Sequence, residues 1–369
     1  MNKIVLCTNH FSPSTGGAEV VVHKIATYLS ADYEVVVLTR RLPGRDHKDF
    51  TDFTVVEYMP GDVNTFMQKM KSLAPQIVFI YSDVFDFTRQ LITKNIFGKL
   101  VIALCGANWI HNNRNYAKLL YRHLGQIEQF ICHSTYDRDY KFCNGVKDIF
   151  KKTLVIPNGV DIDEFDNNSL TREELSAQYD VDPAKRWVLN VSNFFPGKGQ
   201  MHMLPIMKEL GSEYKYIQVS CDTPFLVGQK LENAWKTSLR KEKIPVIFAK
   251  NIPRKNVVGF MKLSNVFSFT SEKEVAPLVI LEAMAAKLPW VSADVGHVRG
   301  LRGGRPIQAL KDRRYHSLFD DRVYKLFTQA IRDVTNSWGD NGYNQVRDEL
   351  DWKKILPQYG SLFKKLCQN

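Results

Sequence analysis

Short apolar runs alternate with longer helical patterns along almost the whole chain. Apolar strands that alternate with helices predict β-α-β units, parallel sheets and right-handed crossovers. An acidic and polar segment, residues 161–185, separates two such series and is the best candidate for a linker. The pattern therefore predicts an α/β protein of two doubly wound domains, with the ligand in a cleft facing the carboxyl ends of the strands. The predicted strands are Ile4–Cys7, Glu34–Leu38, Phe53–Tyr58, Ile77–Tyr81, Leu100–Leu104, Gln129–His133 and Thr153–Pro157 in the first series, and Val188–Ser192, Tyr216–Ser220, Val246–Phe248, Val266–Thr270 and Trp290–Ala293 in the second.

Two segments near the end of the chain complete the pattern. Residues 343–366 form a further helical pattern, which we expect Pro357 to break or kink because proline cannot donate a backbone hydrogen bond. The strongly basic stretch from Arg299 to Arg314 is interpreted as a solvated loop.

Length and composition indicate a size class and a compartment. A chain of 369 residues exceeds the usual limit of one hydrophobic core, which makes two domains the default. No apolar run approaches the roughly 18 residues of a membrane span, and the first apolar run is too short for a signal peptide. The six cysteines are scattered without C-x-x-C spacing, which argues against disulfides and a zinc site. These features favour the cytoplasm.

Two carboxylates form the most informative motif of the chain. Glu274 and Glu282 flank an apolar run in which Pro277 suits the first turn of a helix. A turn followed by a helix could present both acids to one cleft, and the free amides after Pro277 would favour a diphosphate. The alternative is an amphipathic helix whose acids are simply solvated, and the spacing alone leaves both interpretations open.

Three further motifs follow predicted strands. Gly16-Gly17 opens a helix after the first strand, and paired glycines let the backbone approach a phosphate closely. Asn158-Gly159 is a tight-turn signal. Gly197-Lys198-Gly199 places a lysine above a buried strand, where lysine commonly meets phosphate as a compact charge. The G-x-G-x-x-G fingerprint does not occur at the first loop, which argues against a nicotinamide-dependent dehydrogenase.

In this order and spacing, the motifs resemble those of retaining glycosyltransferases of the family 4 type, which have the GT-B fold. The resemblance covers nearly the whole chain, from residues 16–19 to the E-x7-E pair and a terminal helix that contains Trp352. It implies two Rossmann-like domains that face an interdomain cleft, with the acceptor bound by residues 1–165 and a nucleotide-sugar donor by residues 166–345. Residues 346–369 would form a helix that crosses back to the N-terminal domain.

The resemblance also implies roles for residues of the second domain. Glu274 would hold hydroxyls of the donor sugar, Glu282 would bind the ribose of the nucleotide, and Lys198 would neutralise the diphosphate. The backbone amides of Leu278 and Val279 would add hydrogen bonds to the phosphates. These roles agree with the residue types, because a cation and a helix N-terminus stabilise a diphosphate as its charge develops.

In the first domain, Gly16 and Gly17 would approach the donor phosphate and the reaction centre. The resemblance implies front-face attack with retention at the anomeric carbon, with the departing phosphate helping to deprotonate the acceptor. It implies no cofactor and no metal, and we favour a UDP- or GDP-sugar as the donor substrate.

Two positions of the second domain depart from the family pattern. Asn193 stands where a second phosphate-binding cation is usual, although we keep it among the donor-binding residues. Arg254, Lys255 or a cation of the stretch 299–305 could replace the missing charge. Val275 stands where a glycine usually follows the first glutamate.

The first domain departs from the pattern at Cys105, where a histidine is common. His111 or His133 could take its place. We regard Cys105, together with Glu274 and Gly17, as a candidate catalytic residue.

The acceptor is the open question of the sequence. Residues 108–122 mix bases with aromatics, and Trp109, Arg114, Lys118 and Arg122 are candidates for contact with an acceptor or a membrane. The net charge of +11 points to an acidic partner. The segment could lie on anionic lipid headgroups, contact nucleic acid, or be an ordinary half-buried helix.

We therefore expect sugar transfer to the hydroxyl of a glycan or lipid-linked acceptor, in glycan, glycolipid or surface polysaccharide synthesis, at the inner face of a membrane. The alternatives are a DNA-base glycosyltransferase and a non-catalytic protein that binds sugar nucleotides or polyanions.

Overall fold

The computed structural model describes residues 1–13, 16–42, 44–59, 61–82, 86–94, 98–105, 114–222, 226–311 and 317–368. Contacts divide the chain into two compact units. The first comprises Met1–Asn158 and Lys353–Asn369, and the second comprises Gly159–Trp352. The sequence expects the corresponding boundaries after residues 165 and 345.

The first unit contains a seven-stranded parallel sheet with the order β3-β2-β1-β4-β5-β6-β7. Its central strands are buried on both faces, which is why their sequences are continuous apolar runs without alternation. The strands are β1 (Lys3–Thr8), β2 (Glu34–Arg40), β3 (Thr54–Tyr58), β4 (Ile77–Tyr81), β5 (Lys99–Ala103), β6 (Ile127–Cys132) and β7 (Thr153–Val155). The described helices are Gly17–Leu29, Val63–Leu73, Asp86–Lys94, Arg114–Arg122, Arg138–Asn144 and Lys147–Phe150.

The last helix of the chain, Trp352–Gln368, contributes most of its length to the first unit. Phe79 of β4 packs against Tyr359 and Phe363, with ring centroids 6.2 and 5.7 Å apart. The Lys99 ammonium donates a hydrogen bond of 2.8 Å to the Leu366 carbonyl oxygen. Buried aromatic rings of this helix therefore pack against the sheet at β4.

The second unit contains a six-stranded parallel sheet with the order β10-β9-β8-β11-β12-β13. Two short strands that follow this sheet in the chain, β14 (Leu310–Lys311) and β15 (Ser317–Leu318), form a separate antiparallel pair. The strands of the sheet are β8 (Arg186–Val191), β9 (Tyr214–Ser220), β10 (Val246–Lys250), β11 (Val266–Phe269), β12 (Trp290–Ala293) and β13 (Gly304–Ile307). The helices of this unit are Ile162–Asp166, Arg172–Tyr179, Met203–Leu210, Leu226–Glu242, Arg254–Leu263, Leu278–Ala285, Asp321–Arg332 and Asn336–Gln345, the last followed by a π-helical turn, Val346–Leu350.

Each sheet has a switch point where the strand order reverses. The reversal lies between β1 and β4 in the first unit, and between β8 and β11 in the second. In open parallel sheets, ligands bind beyond the carboxyl ends of the strands at such points. The prediction of two Rossmann-like, doubly wound domains is thus confirmed. None of the helices in the described ranges is long and apolar enough to cross a lipid bilayer.

Three local predictions are wrong. The basic stretch interpreted as a solvated loop contains β13, an edge strand that tolerates Pro306 because one side of it needs no hydrogen-bond donor. The predicted linker, residues 161–185, includes the helices Ile162–Asp166 and Arg172–Tyr179. Pro357 does not break the terminal helix, because the helix Trp352–Gln368 continues through it. The chain leaves the helical conformation at Asp351 instead.

Candidate functional site

Two glycines shape the loop that carries Lys198 beyond the carboxyl end of β8. Gly197 and Gly199 have φ angles of +88° and +70°, a region that side chains rarely adopt. A Cβ on Gly199 would lie 2.0 Å from the carbonyl oxygen of Thr270, just after β11. The hydroxyl of Thr270 donates a hydrogen bond of 2.8 Å to the Gly199 carbonyl. The glycines therefore let the loops after β8 and β11 pack against each other.

Lys198 and Glu274 meet at this junction. The ammonium of Lys198 lies 2.6 Å from Oε1 of Glu274. The hydroxyl of Ser271 lies 2.7 Å from the same oxygen, and the amide of Glu272 donates to the Gly197 carbonyl at 2.7 Å. The Glu274 side chain is only 12% exposed. The structure thus joins one predicted cation and one predicted carboxylate at the switch point of the second sheet.

The helix Leu278–Ala285 begins directly after Pro277 and carries Glu282. The amides of Leu278 and Val279 belong to its first turn, where backbone N–H groups have no intrahelical acceptor and can bind an anion. Glu282 forms an ion pair with Arg254, whose guanidinium lies 2.7 Å from Oε1 of Glu282. Pro277 is therefore the N-cap of the helix, one residue before the first turn in which the sequence pattern places it.

The departures from the family pattern have defined neighbours. Oδ1 of Asn193 accepts a hydrogen bond of 2.8 Å from the amide of Cys221, so Asn193 holds the loop after β9. The Val275 carbonyl accepts from the amide of His297 at 2.9 Å. Room for Val275 comes from Gly296, where φ is +57° and a Cβ would lie 2.2 Å from that carbonyl oxygen.

The cations suggested as substitutes at Asn193 occupy different places. Arg254 lies beside Glu282. Arg299 forms an ion pair with Asp294. Arg305 lies 3.1 Å from Asp333. Of these arginines, Arg254 is therefore the one that contacts a predicted site residue.

His202 is a site neighbour that the sequence does not reveal. Its Nε2 lies 2.9 Å from Oε1 of Glu272 and its Nδ1 lies 3.0 Å from the Tyr324 hydroxyl. The ring stacks on Phe319 with centroids 4.0 Å apart. His202 therefore links the start of the Glu272–Glu274 loop to two aromatic side chains. A lone histidine in the sequence gives no signal of such a contact.

In the first unit, Gly16 and Gly17 lie at the start of a helix after β1. Gly16 has extended backbone angles and caps the helix Gly17–Leu29. A Cβ on Gly16 would lie 2.4 Å from a carboxylate oxygen of Glu19, so the glycine makes room for that side chain. The double-glycine motif therefore lies beside the switch point of the first sheet.

Cys105 and His133 form a hydrogen-bonded pair at the same edge of the sheet. Cys105 Sγ lies 3.1 Å from Nε2 of His133, and His133 Nδ1 lies 2.9 Å from the Ile156 carbonyl oxygen. A carbonyl only accepts, so Nδ1 carries a proton, and Nε2 accepts from the thiol. Burial raises the pKa of the Cys105 thiol and lowers the pKa of His133. Both groups are therefore neutral near pH 7.

Two buried carboxylates follow β6. Asp137 and Asp139 are 2% and 1% exposed, and Asp137 caps the helix Arg138–Asn144 by accepting from the amide of Tyr140 at 2.8 Å. Burial, followed by the charge of Asp139, raises the pKa of Asp137 to about 7. The sequence does not single out either residue. In the described ranges, no group of three or more histidine, cysteine, aspartate or glutamate side chains could hold a metal ion.

The candidate acceptor segment is described in part. Trp109 and His111 lie outside the described residues, and Arg114 begins the helix Arg114–Arg122. Lys118 and Arg122 are exposed on this helix. Between these two residues, Leu120 is fully buried and Tyr121 is 60% exposed. The helix therefore combines a buried side with an exposed basic and aromatic side.

Comparison with protein families matches both halves of the chain. Residues 15–164 match the family described as Glycosyltransferase Family 4, and residues 171–343 match Glycosyl transferases group 1. The second match contains Lys198, Glu274 and Glu282.

Individual relatives are distant. A probable sucrose-phosphate synthase from Thermosipho melanesiensis is 24% identical over 59% of this chain. The match covers 48% of that relative, so the chain spans about half its length. The sucrose-phosphate synthase structure from Thermosynechococcus elongatus has a TM-score of 0.82 at 17% identity and covers 100% of both chains. Anabaena HepE in complex with UDP and glucose has a TM-score of 0.77 at 18% identity, over 99% of this chain and 100% of that one. These likenesses confirm the GT-B fold.

Proposed function

We propose that this chain, a GT-B glycosyltransferase by the two domain families that match it, transfers a sugar from a nucleotide-sugar donor to a hydroxyl group of an acceptor. One observation carries the proposal. Lys198 and Glu274 meet within 2.6 Å at the switch point of the sheet in the domain that matches Glycosyl transferases group 1. A cation, a carboxylate and a helix N-terminus at that position suit a sugar diphosphate.

The donor site belongs to the second unit in this proposal. Lys198 and the amides of Leu278 and Val279 bind the diphosphate, and Glu274 accepts hydrogen bonds from sugar hydroxyls. Glu282 binds the ribose. A UDP-sugar is the first donor to test, because HepE, which shares the fold, has been solved with UDP and with UDP-glucose.

We further propose that transfer retains the anomeric configuration. The leaving diphosphate gains negative charge as the glycosidic bond breaks, and Lys198 with the helix N-terminus stabilises that charge. A phosphate oxygen released on the same face can accept the proton of the attacking hydroxyl. Glu274 is then a binding group, unlike the paired acid and nucleophile that flank the bond in glycosidases.

The acceptor belongs to the first unit in this proposal. Gly16 and Gly17 lie beside the switch point of the first sheet, and the thiol of Cys105 is held by His133 at the same edge of the sheet. Burial favours the neutral forms of Cys105 and His133, so this pair supplies hydrogen bonds and no charge.

The acceptor class that we favour is a glycan or a lipid-linked sugar at the inner face of a membrane. Lys118, Tyr121 and Arg122 are exposed together on one helix of the first unit. Such a basic and aromatic surface suits an anionic interface.

A donor screen tests the proposed function. Thermal shift is measured with UDP-, GDP-, dTDP- and ADP-sugars, and donor hydrolysis is then measured with the best binder. We expect at least one sugar nucleotide to stabilise the protein and to be hydrolysed slowly without an acceptor. Transfer to added sugar acceptors, with the anomeric configuration of the product read by proton NMR, then tests retention. Binding without hydrolysis or transfer would contradict the enzymatic assignment and support a binding protein.

A further inference from the structure

We propose that Arg254, held by Glu164, is a positioning residue that fixes the carboxylate of Glu282 for the 2′,3′-diol of the donor ribose. The site would thereby select ribonucleotides over 2′-deoxyribonucleotides. This inference rests on the proposed function and adds to it a residue pair and a class of donor.

The contacts form a continuous chain within the second unit. Nε and one terminal nitrogen of Arg254 donate to the two carboxylate oxygens of Glu164, at 2.8 and 2.7 Å. The same terminal nitrogen lies 2.7 Å from Oε1 of Glu282. The guanidinium also lies over the ring of Phe165, with Cζ 5.7 Å from its centroid. Two helices of the unit, Ile162–Asp166 and Leu278–Ala285, therefore hold one planar group that belongs to a third helix.

This geometry fixes the orientation of the Glu282 side chain. A guanidinium is planar and presents its donors in a rigid fork, so two bonds to Glu164 also set the direction of the third. Burial opposes the charge of Arg254, but Glu282 and Glu164 outweigh it and raise the pKa of the guanidinium. The arginine consequently stays charged and bound to both acids over the working pH range.

A carboxylate held in this way can still accept a diol. Each carboxylate oxygen has about two acceptor positions, so Oε1 keeps one and Oε2 offers others to a ligand. Two hydroxyl groups on adjacent carbons can donate to the two oxygens at once. A 2′-deoxyribose would leave one of them without its donor, which costs binding energy because Glu282 is only 17% exposed. Fixing the carboxylate increases that difference, since a free side chain could rotate toward water.

The alternative role for Arg254 is that of the phosphate cation missing at Asn193. That role predicts a different result, because a phosphate contact is the same for ribose and deoxyribose. The ratio of the two affinities therefore separates positioning of Glu282 from a direct effect of charge.

The test measures binding by calorimetry. UDP, GDP and ADP are titrated into the wild-type protein, and the tightest binder is compared with its 2′-deoxy form. We expect the ribose form to bind about tenfold more tightly, the effect of one hydrogen bond to a charged group. In Arg254→Ala and in Glu164→Ala, the ribose form should lose most of this advantage, leaving a ratio of about two or less. Arg254→Lys keeps the charge without the fork and should also lose selectivity.

Arg305→Ala is the matched control, because Arg305 is similarly exposed, at 44% against 46%, and pairs with Asp333 in the same unit. This variant should keep the wild-type ratio. An equal loss of both affinities in Arg254→Ala, or a wild-type protein that does not prefer ribose, would overturn the inference alone. A wild-type protein that binds none of the three nucleotides would instead overturn the proposed function. Melting temperatures of all variants identify any that fail to fold.

Discussion

Lys198 and Glu274 share one contact of 2.6 Å, yet we expect their removal to have different consequences. In the proposed function, Glu274→Ala takes from the donor sugar a hydrogen-bond acceptor at the reacting ring, so transfer should fall by at least about 100-fold, the scale of losing one transition-state contact. In Lys198→Ala, the diphosphate loses a cation, so the dissociation constant of the donor should rise by about tenfold or more. Steady-state kinetics and calorimetry measure the two effects separately.

The control for this pair is Lys208→Ala. Lys208 also pairs with a glutamate, Glu242, but lies 68% exposed on the helix Met203–Leu210. Its removal should leave donor binding unchanged, because exposed ion pairs contribute little. Full transfer activity in a folded Glu274→Ala protein would rule out the role assigned to Glu274.

Asp137 should make the stability of the protein depend on pH. The pKa of Asp137 is raised to about 7 in the folded protein, whereas an ordinary aspartate, as in the unfolded chain, has a pKa of 3.8. The folded state therefore binds a proton that the unfolded state has lost, so Asp137 favours folding fully below pH 4, and this contribution is lost as pH rises through 7. Asp137→Asn keeps an oxygen acceptor for the amide of Tyr140 and removes the charge. At pH 8 we expect Asp137→Asn to melt higher than the wild type.

The size of this effect is bounded by the shift itself. One pKa unit corresponds to about 1.4 kcal/mol, so the full shift sets an upper limit of roughly 4 kcal/mol. Melting temperatures from pH 5 to pH 8 measure it, and the difference between the two proteins should widen with rising pH. Asp148→Asn, which removes an exposed acid of the same unit, is the control. A pH-independent difference would show that the charge of Asp137 is not responsible.

The residues that the sequence identifies differ from those that it misses in one respect. Lys198 lies between two glycines and Glu274 lies three residues before Pro277, both shortly after apolar strands, so local patterns place them at the strand ends. His202 and Glu164 act through partners 70 and 90 positions away, Glu272 and Arg254. Such contacts are set by packing of the whole unit, and no local spacing encodes them.

At the scale of elements, continuous apolar runs predict the strands well, because strands of a parallel sheet are buried on both faces. β13 fails this rule, since its sequence Gly304–Ile307 carries an arginine and a proline. Gly304 has a packing reason, because a Cβ there would lie 2.1 Å from the ring of Trp290. An edge strand needs only one apolar face, so its sequence need not be a continuous apolar run. The short sequence of β13 therefore does not identify it as a strand.

Gly159 connects two elements of the second unit. The next residue, Val160, pairs with Asp351 as an isolated parallel β-bridge, and Trp352 is the residue after Asp351. A Cβ on Gly159 would lie 2.6 Å from the indole ring of Trp352 and 3.1 Å from its Cα. We therefore expect Gly159→Ala to lower the free energy of unfolding by about 1–3 kcal/mol, the usual cost of overpacking.

Urea unfolding followed by tryptophan fluorescence measures this loss. Gly125→Ala is the matched control, because a Cβ at Gly125 would meet nothing within 4 Å and its φ is not positive. Equal midpoints for Gly159→Ala and the wild type would mean that the Trp352 ring moves aside without cost. The Asn-Gly pair would then act as a turn signal alone.

At the scale of the whole molecule, the alternation of strands and helices is sufficient to predict two Rossmann-like units and their parallel sheets. Right-handed crossovers leave few strand orders for such a series, and the order of each sheet is taken from the structure. The periodicity of the terminal segment predicts a helix but does not show which part of the protein the helix packs against. Here buried rings such as Tyr359 and Phe363 join the first unit by their contacts with Phe79.

The net charge of +11 leads to the last prediction, which concerns the proposed acceptor side. Vesicles with anionic lipid should bind the protein, and vesicles of zwitterionic lipid should not, because basic residues gain about 1 kcal/mol each near an anionic surface. The double variant Lys118→Ala, Arg122→Ala should therefore weaken vesicle binding by about 30-fold, as measured by sedimentation. Rising salt should weaken binding of the wild type, since a Debye length shorter than about 10 Å screens these charges.

A matched variant separates this surface from net charge. Lys208→Ala, Lys236→Ala removes the same number of charges from the second unit, where both lysines pair with glutamates. If net charge alone attracts the protein to lipid, both double variants should bind equally weakly, and the assignment of the helix Arg114–Arg122 would be wrong. Duplex DNA, titrated under the same salt conditions, tests the other acidic partner. Binding to DNA that Lys118→Ala, Arg122→Ala removes, without binding to vesicles, would move this surface from a lipid-linked acceptor to a nucleic acid.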